Sequence, residues 1–361
     1  MRLRAERDDL ADAFGRATRA VGVKSALPIL QGVLCEASGQ SLRVTGTDLE
    51  MTARISAAVE VLEEGAAVIP ARLATEAIRK LPAGAVTISS ADGEVEIVGK
   101  GPRFSFREMT VADFPQLGEP DFSGAIDVAG DEIAQAFAQV VVGASADAAR
   151  PVLTGVLIEP KEDGVRMVAT DSYRLAVRDV AGISVERSGL VPARGLREVA
   201  RTVGSEKVQI GLSEREASFG SELGSLNLRL IEGDFPNYRQ LLPEIYPNKL
   251  TVDRELLLEA VGRASLVAEE HIPIRMELAV GGVELSVSRH DVGGEVEHVE
   301  GSYEGKEEEV TIAFNPRYLA DGVGVAEGSQ VEIDVIDGLK PAVIRGAGHE
   351  DFLYLLMPVR L

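Results

Sequence analysis

Two long segments of this chain match each other at one fixed spacing. "PILQGVLCEASGQSLRVTGTDLEMTARI" begins at Pro28, and "PVLTGVLIEPKEDGVRMVATDSYRLAV" begins at Pro151. Pro28 and Pro151, Leu30 and Leu153, Gly32 and Gly155, and Asp48 and Asp171 are all 123 residues apart. "VIPARLATEAIRKLP" from Val68 is answered by "LVPARGLREVARTVG" from Leu190, and "DFPQL" from Asp113 by "DFPNY" from Asp234. A weaker third copy fills the remainder. "LTVDRELLLEAVGRAS" from Leu250 has the period of "IDVAGDEIAQAFAQVV" from Ile126. "IAFNPRYLADGVGV" from Ile312 takes the place of a second helix, and "FLYLLMPVRL" closes the chain as a strand. A period of about 120 residues is far longer than that of stacked solenoid repeats. The chain therefore reads as three homologous domains, 1–122, 123–246 and 247–361.

Each unit has the same order: a strand, an amphipathic helix, several strands, a second helix, then strands ending at a turn. Pro70, Pro192 and Pro316 fall where the second helix starts, in a first turn that tolerates a missing N–H. Strands outnumber helices and follow one another directly, which predicts antiparallel hairpins and an α+β fold with two helices per domain.

The bulk numbers bound the function. At 361 residues, 45% hydrophobic and 26% charged, the chain exceeds one ordinary globular core. No run approaches the roughly 18 apolar residues of a membrane span. The start "MRLRAERDDL" lacks the apolar stretch of a signal peptide, so a cytoplasmic, membrane-free protein is expected. Cys35, alone in the apolar run "ILQGVLCEA", reads as a buried inert thiol. His271, His290, His298 and His349 have no HExxH spacing, and no metal is expected. Nucleophile elbow, phosphate loop and dinucleotide fingerprint are missing, so no cofactor is expected either. Thr47-Asp48 and Thr170-Asp171 lie between strands and read as hydrogen-bonded turns. Nothing here reads as an enzyme.

A net charge of -21 argues against a phosphate-rich partner only if the sum alone matters. At 100° per residue, Leu10, Ala13, Phe14, Ala17 and Val21 form one helical stripe, with Arg16 and Arg19 opposite and Lys24 following. Leu73, Ala77 and Leu81 face the core, with Arg72 and Arg79 opposite. Leu196, Val199, Ala200 and Val203 do the same, with Arg194, Arg197 and Arg201 opposite. A solvated face explains any one of these helices; recurrence on equivalent helices weighs against that reading for the set. In the middle unit Gln135 and Gln139 replace arginines. In the last unit Arg254, Arg263 and Arg317 are sparser, with Arg263 nearer the core stripe.

Five segments together resemble one family along the full length. They are "LPILQGVL" near residue 27, "GTDLEM" near 46, "ATDSYRLAV" from Ala169, "GDFPNYRQLLP" from Gly233 and the terminal "LLMPVRL". The family is the β subunit of bacterial DNA polymerase III, the sliding clamp. That resemblance implies three similar domains per chain, two chains closed head to tail around double-stranded DNA, and twelve helices lining the hole. The arginine faces would then look inward at phosphates without reading sequence, and Lys24 would occupy a DNA-touching loop.

The resemblance also implies a peptide groove where domains two and three meet. Its residues would be Leu153, Thr170, Ser172, Tyr173, Arg174, Leu175, Pro236, Gln240, Leu241, Asn315, Tyr318, Leu339, Pro341, Leu355 and Met357. Short hydrophobic motifs of the replicative polymerase, the clamp loader, repair polymerases and mismatch-repair proteins would dock there. Gln240 stands where many relatives carry Arg, and Tyr173 where many carry His. From the residues alone, Leu153 and Leu175 read as core. Phe104 and Phe106 would meet Leu266 and Val267 of a second copy in a homodimer; from the residues alone both belong to the first core. A triplicated scaffold that binds only proteins is the alternative from another class.

Overall fold

The structure, a computed structural model, describes residues 1–22, 27–204, 206–242, 245–268 and 272–360. Among the described residues, six α-helices are interspersed with runs of antiparallel strands: α1 (Arg7–Ala17), α2 (Ala71–Lys80), α3 (Gly130–Val141), α4 (Ala193–Val203), α5 (Arg254–Ala264) and α6 (Pro316–Val325). Each third of the chain carries two of them, as the repeat predicts.

The first helix of each repeat buries the same four positions. These are Leu10, Ala13, Phe14 and Ala17 in α1, Ile133, Ala136, Phe137 and Val140 in α3, and Leu257, Ala260, Val261 and Ala264 in α5. The i, i+3, i+4, i+7 spacing puts one apolar stripe on the sheet. Asp253 and Asn315 cap α5 and α6 by accepting from Leu256 N at 2.9 Å and Tyr318 N at 3.1 Å. Only Pro316 opens its helix from inside. Pro70 and Pro192 instead end the preceding strands, one residue before α2 and α4.

The chain forms two compact units, Met1–Ala134 with Arg194–Leu230, and Gln135–Ala193 with Ile231–Leu361. The division runs through the middle repeat, because strand pairing crosses from one repeat to the next. In the first unit Met51–Ala58 pairs with Gly224–Arg229, Met51 opposite Leu228. In the second, Arg174–Ala181 pairs with Phe352–Leu356, Arg174 opposite Leu356. Among the described residues, the first unit thereby holds an eight-stranded sheet, and the second a twelve-stranded one.

Among the described residues, a five-stranded sheet in the first unit ends at the edge strand Arg103–Arg107. In the second unit, Gly293–Gly305 pairs through its later half with Asn248–Asp253 and through its earlier half with Gly282–Arg289. Among the described residues, the other edge of residues 293–300 has no partner strand.

Four expectations about helix faces need correction. Leu73 is 58% exposed; Ala71, Ala74, Ala77, Ile78 and Leu81 form the buried face of α2 instead. Ala200 is exposed, and Thr202 is buried in its place. Arg263 is exposed, held away from the core by Glu297 and Glu259. Gln139 is buried rather than solvent-facing. Cys35 is buried, and burial raises its thiol pKa, which leaves it unreactive.

Candidate nucleic-acid interface and peptide site

In the first unit α1, α2 and α4 lie side by side. Thr18 and Thr75 share a hydrogen bond of 2.9 Å between the end of α1 and α2. Arg16 Nη1 donates to the carbonyl of Thr202 at 3.2 Å, and Arg19 Nη1 to Glu198 Oε2 at 2.9 Å, joining α1 and the turn that follows it to α4. Arg72, Arg79, Arg194, Arg197 and Arg201 are all exposed on these helices. A shallow cavity of about 330 Å³ is lined by Thr18, Arg19, Arg72, Thr75, Arg79 and Glu198 among others.

Carboxylates are interleaved with these cations. Arg16 pairs with Asp12 at 2.6 Å, Arg194 with Asp48 at 2.8 Å and Arg201 with Glu198 at 3.7 Å. Exposed pairs of this kind contribute roughly 0–1 kcal/mol each. The guanidinium groups are thus oriented by their partners without being held strongly. Lys24 lies outside the described residues.

The second unit is less basic on its helices. Exposed Gln135 and buried Gln139 stand on α3, and Gln139 donates to the carbonyl of Val325 at 3.2 Å and to Glu327 at 2.9 Å. Arg254 donates to the carbonyl of Gly328 at 3.0 Å, and Arg317 is exposed.

The residues expected in the peptide groove all lie in the second unit, around one turn. Asp171 Oδ1 accepts from Tyr173 N at 2.9 Å and Arg174 N at 3.1 Å, and Thr170 Oγ1 donates to the carbonyl of Arg174 at 2.7 Å. Ser172 sits at the tip with φ of 83°. The Thr47-Asp48 turn repeats this geometry, with Asp48 Oδ1 accepting from Glu50 N and Met51 N at 3.0 and 2.8 Å. The paired Thr-Asp motif is a turn, as the sequence indicates.

The turn throws Tyr173 outward, 59% exposed, and stacks it on Tyr318 with ring centroids 6.3 Å apart. Arg174 turns inward. It pairs with Asp171 at 3.0 Å and Asp321 at 2.5 Å, donates to Tyr354 Oη at 3.3 Å, and lies 4.3 Å from the Tyr318 ring centroid. Burial works against the Arg174 charge, but Tyr354, Asp321 and Asp171 outweigh it and hold its pKa above the ordinary value. Asp321 and Tyr354 were not picked out from sequence. The repeated Thr-Asp motif signalled Asp171 only as a turn residue.

Behind this turn lies an apolar cluster of Val168, Leu175, Val177, Tyr238, Val343 and Leu355, with Met357 packed against it. Leu175 faces Leu355 across paired strands, and both are buried with Leu153 and Thr170. These residues form the floor and are closed to solvent. Met357 is half-buried and donates its N–H to the carbonyl of Tyr173 at 2.9 Å. Pro236, Gln240 and Leu241 are exposed around Tyr238. Asn315 caps α6, Pro341 is half-buried, and Leu339 is 74% exposed on a loop held by Asp337.

On the free edge of the first unit, Phe104 and Phe106 are half-buried against the core, their rings stacked with centroids 6.3 Å apart. Ladder registers equate them with residues at the two internal junctions. Glu94 faces Arg107 as Glu216 faces Arg229, so Phe104 and Phe106 correspond to Leu226 and Leu228. Leu228 and Leu356 occupy equal places opposite Met51 and Arg174, which adds Tyr354 and Leu356 to the correspondence. All four counterparts are buried. Leu266 is 86% exposed and Val267 half-buried in the turn after α5.

One cluster, Glu327, His349 and Asp351, brings its ligand atoms within 4.8 Å of one another. Arg178 pairs there with both Asp351 and Glu327, so a guanidinium already supplies the counter-charge. Among the described residues no helix is long and apolar enough to cross a membrane.

Comparison with known proteins accounts for nearly the whole chain. Residues 1–118, 127–237 and 239–360 match the N-terminal, central and C-terminal domains of the DNA polymerase III beta subunit. The beta sliding clamp of Streptomyces coelicolor is 33% identical over 378 residues, covering 100% of both chains. That of Bacillus subtilis is 27% identical over the same span. The crystal structure of the Bacillus subtilis DNA polymerase sliding clamp superposes with a TM-score of 0.92 at 26% identity, covering 100% of this chain and 99% of that one. A sliding clamp from Pseudomonas aeruginosa, solved bound to griselimycin, gives 0.91 at 27% identity with 100% of both chains covered.

Proposed function

The chain belongs to the DNA polymerase III beta subunit family, the bacterial sliding clamps, and we propose from its geometry how it performs that task. It is a processivity factor, not a catalyst: it partners DNA and the replicative polymerase. Two copies close head to tail into a ring around double-stranded DNA. The three repeats, 1–122, 123–246 and 247–361, are its building blocks.

The observation that carries this reading is the repeated strand junction. Inside the chain, Met51–Ala58 takes Gly224–Arg229, and Arg174–Ala181 takes Phe352–Leu356. The third acceptor is the free edge at residues 293–300, and the third donor is the free edge Arg103–Arg107. Exposed edges invite pairing with another chain. A heterologous contact that uses the internal geometry once more closes a ring instead of a filament if the rotation fits. Phe104 and Phe106 then become as buried as their counterparts, with Leu266 and Val267 of the second copy beside them.

DNA passes the arginine faces. Arg16, Arg19, Lys24, Arg72, Arg79, Arg194, Arg197 and Arg201 attract phosphates without base contacts, and the interleaved carboxylates keep that attraction weak enough for sliding. Partners dock at the second site. The Tyr173–Tyr318 stack, Met357, Leu241 and Leu339 offer apolar anchoring, and Ser172, Gln240 and Asn315 offer polar rim groups. The clamp loader, repair polymerases and mismatch-repair proteins share it through short hydrophobic motifs, in the cytoplasm where the chromosome lies. The test is primer extension on a long primed circle with polymerase and loader. Wild-type protein should lengthen products from one binding event; product lengths unchanged by its addition contradict the reading.

A further inference from the structure

We propose that Arg263 of one copy fastens the seam between copies by donating to the main-chain carbonyl of Lys80, at the end of α2 of the other. The inference rests on the head-to-tail ring reading above and adds the contact that would hold its helices together.

The chain makes this contact twice internally. Arg16 Nη1 on α1 donates to the carbonyl of Thr202 on α4 at 3.2 Å. Gln139 Nε2 on α3 donates to the carbonyl of Val325 on α6, also at 3.2 Å. Donors and acceptors are each 123 residues apart (139 minus 16; 325 minus 202). A first helix of one repeat thus grips the end of a second helix of another, by the same atoms in the main chain.

The third member of each set follows from the buried stripes. Leu10, Ala13, Phe14 and Ala17 match Leu257, Ala260, Val261 and Ala264, which puts Arg263 where Arg16 and Gln139 stand. Ala71, Ala74, Ala77 and Leu81 match Ala193, Leu196, Val199 and Val203, which puts Lys80 where Thr202 stands. Carbonyls in a last helical turn lack an intrahelical donor and lie at the electronegative end, so a guanidinium suits them.

Arg263 is also held ready in the same manner as Arg16. Arg16 is braced by Asp12 one turn earlier at 2.6 Å, and Arg263 by Glu259 at 3.4 Å. Its Nε and Nη2 donate to Glu297 at 2.8 and 2.7 Å, and Glu297 sits on the free edge at residues 293–300. Nη1, bound only loosely to Glu259, is the nitrogen corresponding to the one Arg16 uses.

Because Gln139 does with an amide what Arg16 does with a guanidinium, the test compares Arg263→Gln with Arg263→Leu. Sedimentation over a range of concentrations measures the dimer dissociation constant, with thermal melting as the check of folding. Arg263→Gln should stay within about threefold of wild type. A hydrogen bond from a charged donor is worth about tenfold or more in affinity, and a ring has two seams. Arg263→Leu should therefore raise the constant by about a hundredfold. Glu297→Gln, which removes the ion pair but not the donor, should keep dimers. A second readout uses Arg263→Cys with Lys80→Cys and a short bismaleimide, which should give cross-linked dimers. Equal dimerisation of Arg263→Leu and wild type, equal loss in both Arg263 variants, or no cross-link in a dimeric protein each overturns the inference while the ring stands. A monomeric wild type at every concentration overturns the ring reading and this contact with it.

Discussion

Leu49 and Ser172, 123 residues apart, are both non-glycine residues held at positive φ, 76° and 83°. Each follows the Thr-Asp pair of its repeat, at the tip of a turn whose Asp carboxylate accepts two backbone N–H groups. The turn demands the left-handed conformation, which costs an L-residue roughly 1–2 kcal/mol. Leu49→Gly and Ser172→Gly should therefore each raise the melting temperature in a scanning calorimetry trace. A fall at both sites would mean that the tip side chains stabilise the turn more than their backbone strains it.

The Arg174 network predicts an asymmetry between its two carboxylates. Asp171 is buried and Asp321 is partly open. Arg174→Met leaves Asp171 uncompensated in the interior, which should cost about 3–5 kcal/mol. Asp321→Asn leaves Arg174 its contacts with Asp171 and Tyr354 and should cost only about 1 kcal/mol. Thermal melting of the two variants should separate them clearly; similar losses would show that Asp321, not Asp171, governs the arginine.

Salt dependence separates the arginines by their present partners. Arg72 and Arg79 have no carboxylate partner among the described residues, whereas Arg194 and Arg201 already hold Asp48 and Glu198. Each phosphate contact adds about 0.9 to the log–log salt slope of DNA binding. Arg72→Gln with Arg79→Gln should lower the slope by nearly two such increments, and Arg194→Gln with Arg201→Gln by less. An unchanged slope for the first pair in a folded dimer would put α2 away from DNA.

Much of this was legible in the sequence. The offset gave the triplication, the spacing of Leu10, Ala13, Phe14 and Ala17 gave the packed stripe, and the Thr-Asp pairs gave the turns. The split of the middle repeat between two compact units was not legible. It depends on strand partners more than 100 residues apart, such as Met51 and Leu228, and local periodicity carries no record of them. The exposure of Leu73 is not legible in the sequence because the buried face of α2 is built largely from alanines, beside which a leucine looks like the better core residue. At the proposed peptide site, motif resemblance pointed to the turn but did not separate buried from accessible residues. Leu175 is closed to solvent, and only the strand register shows it facing Leu355.

That distinction sets the choice of groove variants. Leu175→Asp would bury a charge in the apolar cluster and should unfold the second unit. Met357→Asp with Leu241→Asp changes the accessible surface instead. It should abolish binding of a labelled peptide bearing Gln followed by bulky aliphatic and aromatic residues, and leave sedimentation as a dimer unchanged. Equal peptide affinity in a well-folded double variant would remove the groove from this surface.

Retention on DNA of defined topology addresses the central claim most directly. Protein loaded by the clamp loader onto nicked circles is isolated by gel filtration at a salt concentration that abolishes simple phosphate binding, and the circles are then cut once. A closed ring should stay with the circles through filtration and leave when they are linearised. Release from intact circles as fast as from linear DNA, by wild-type protein shown to be loaded, would contradict encirclement and reduce the chain to a surface binder.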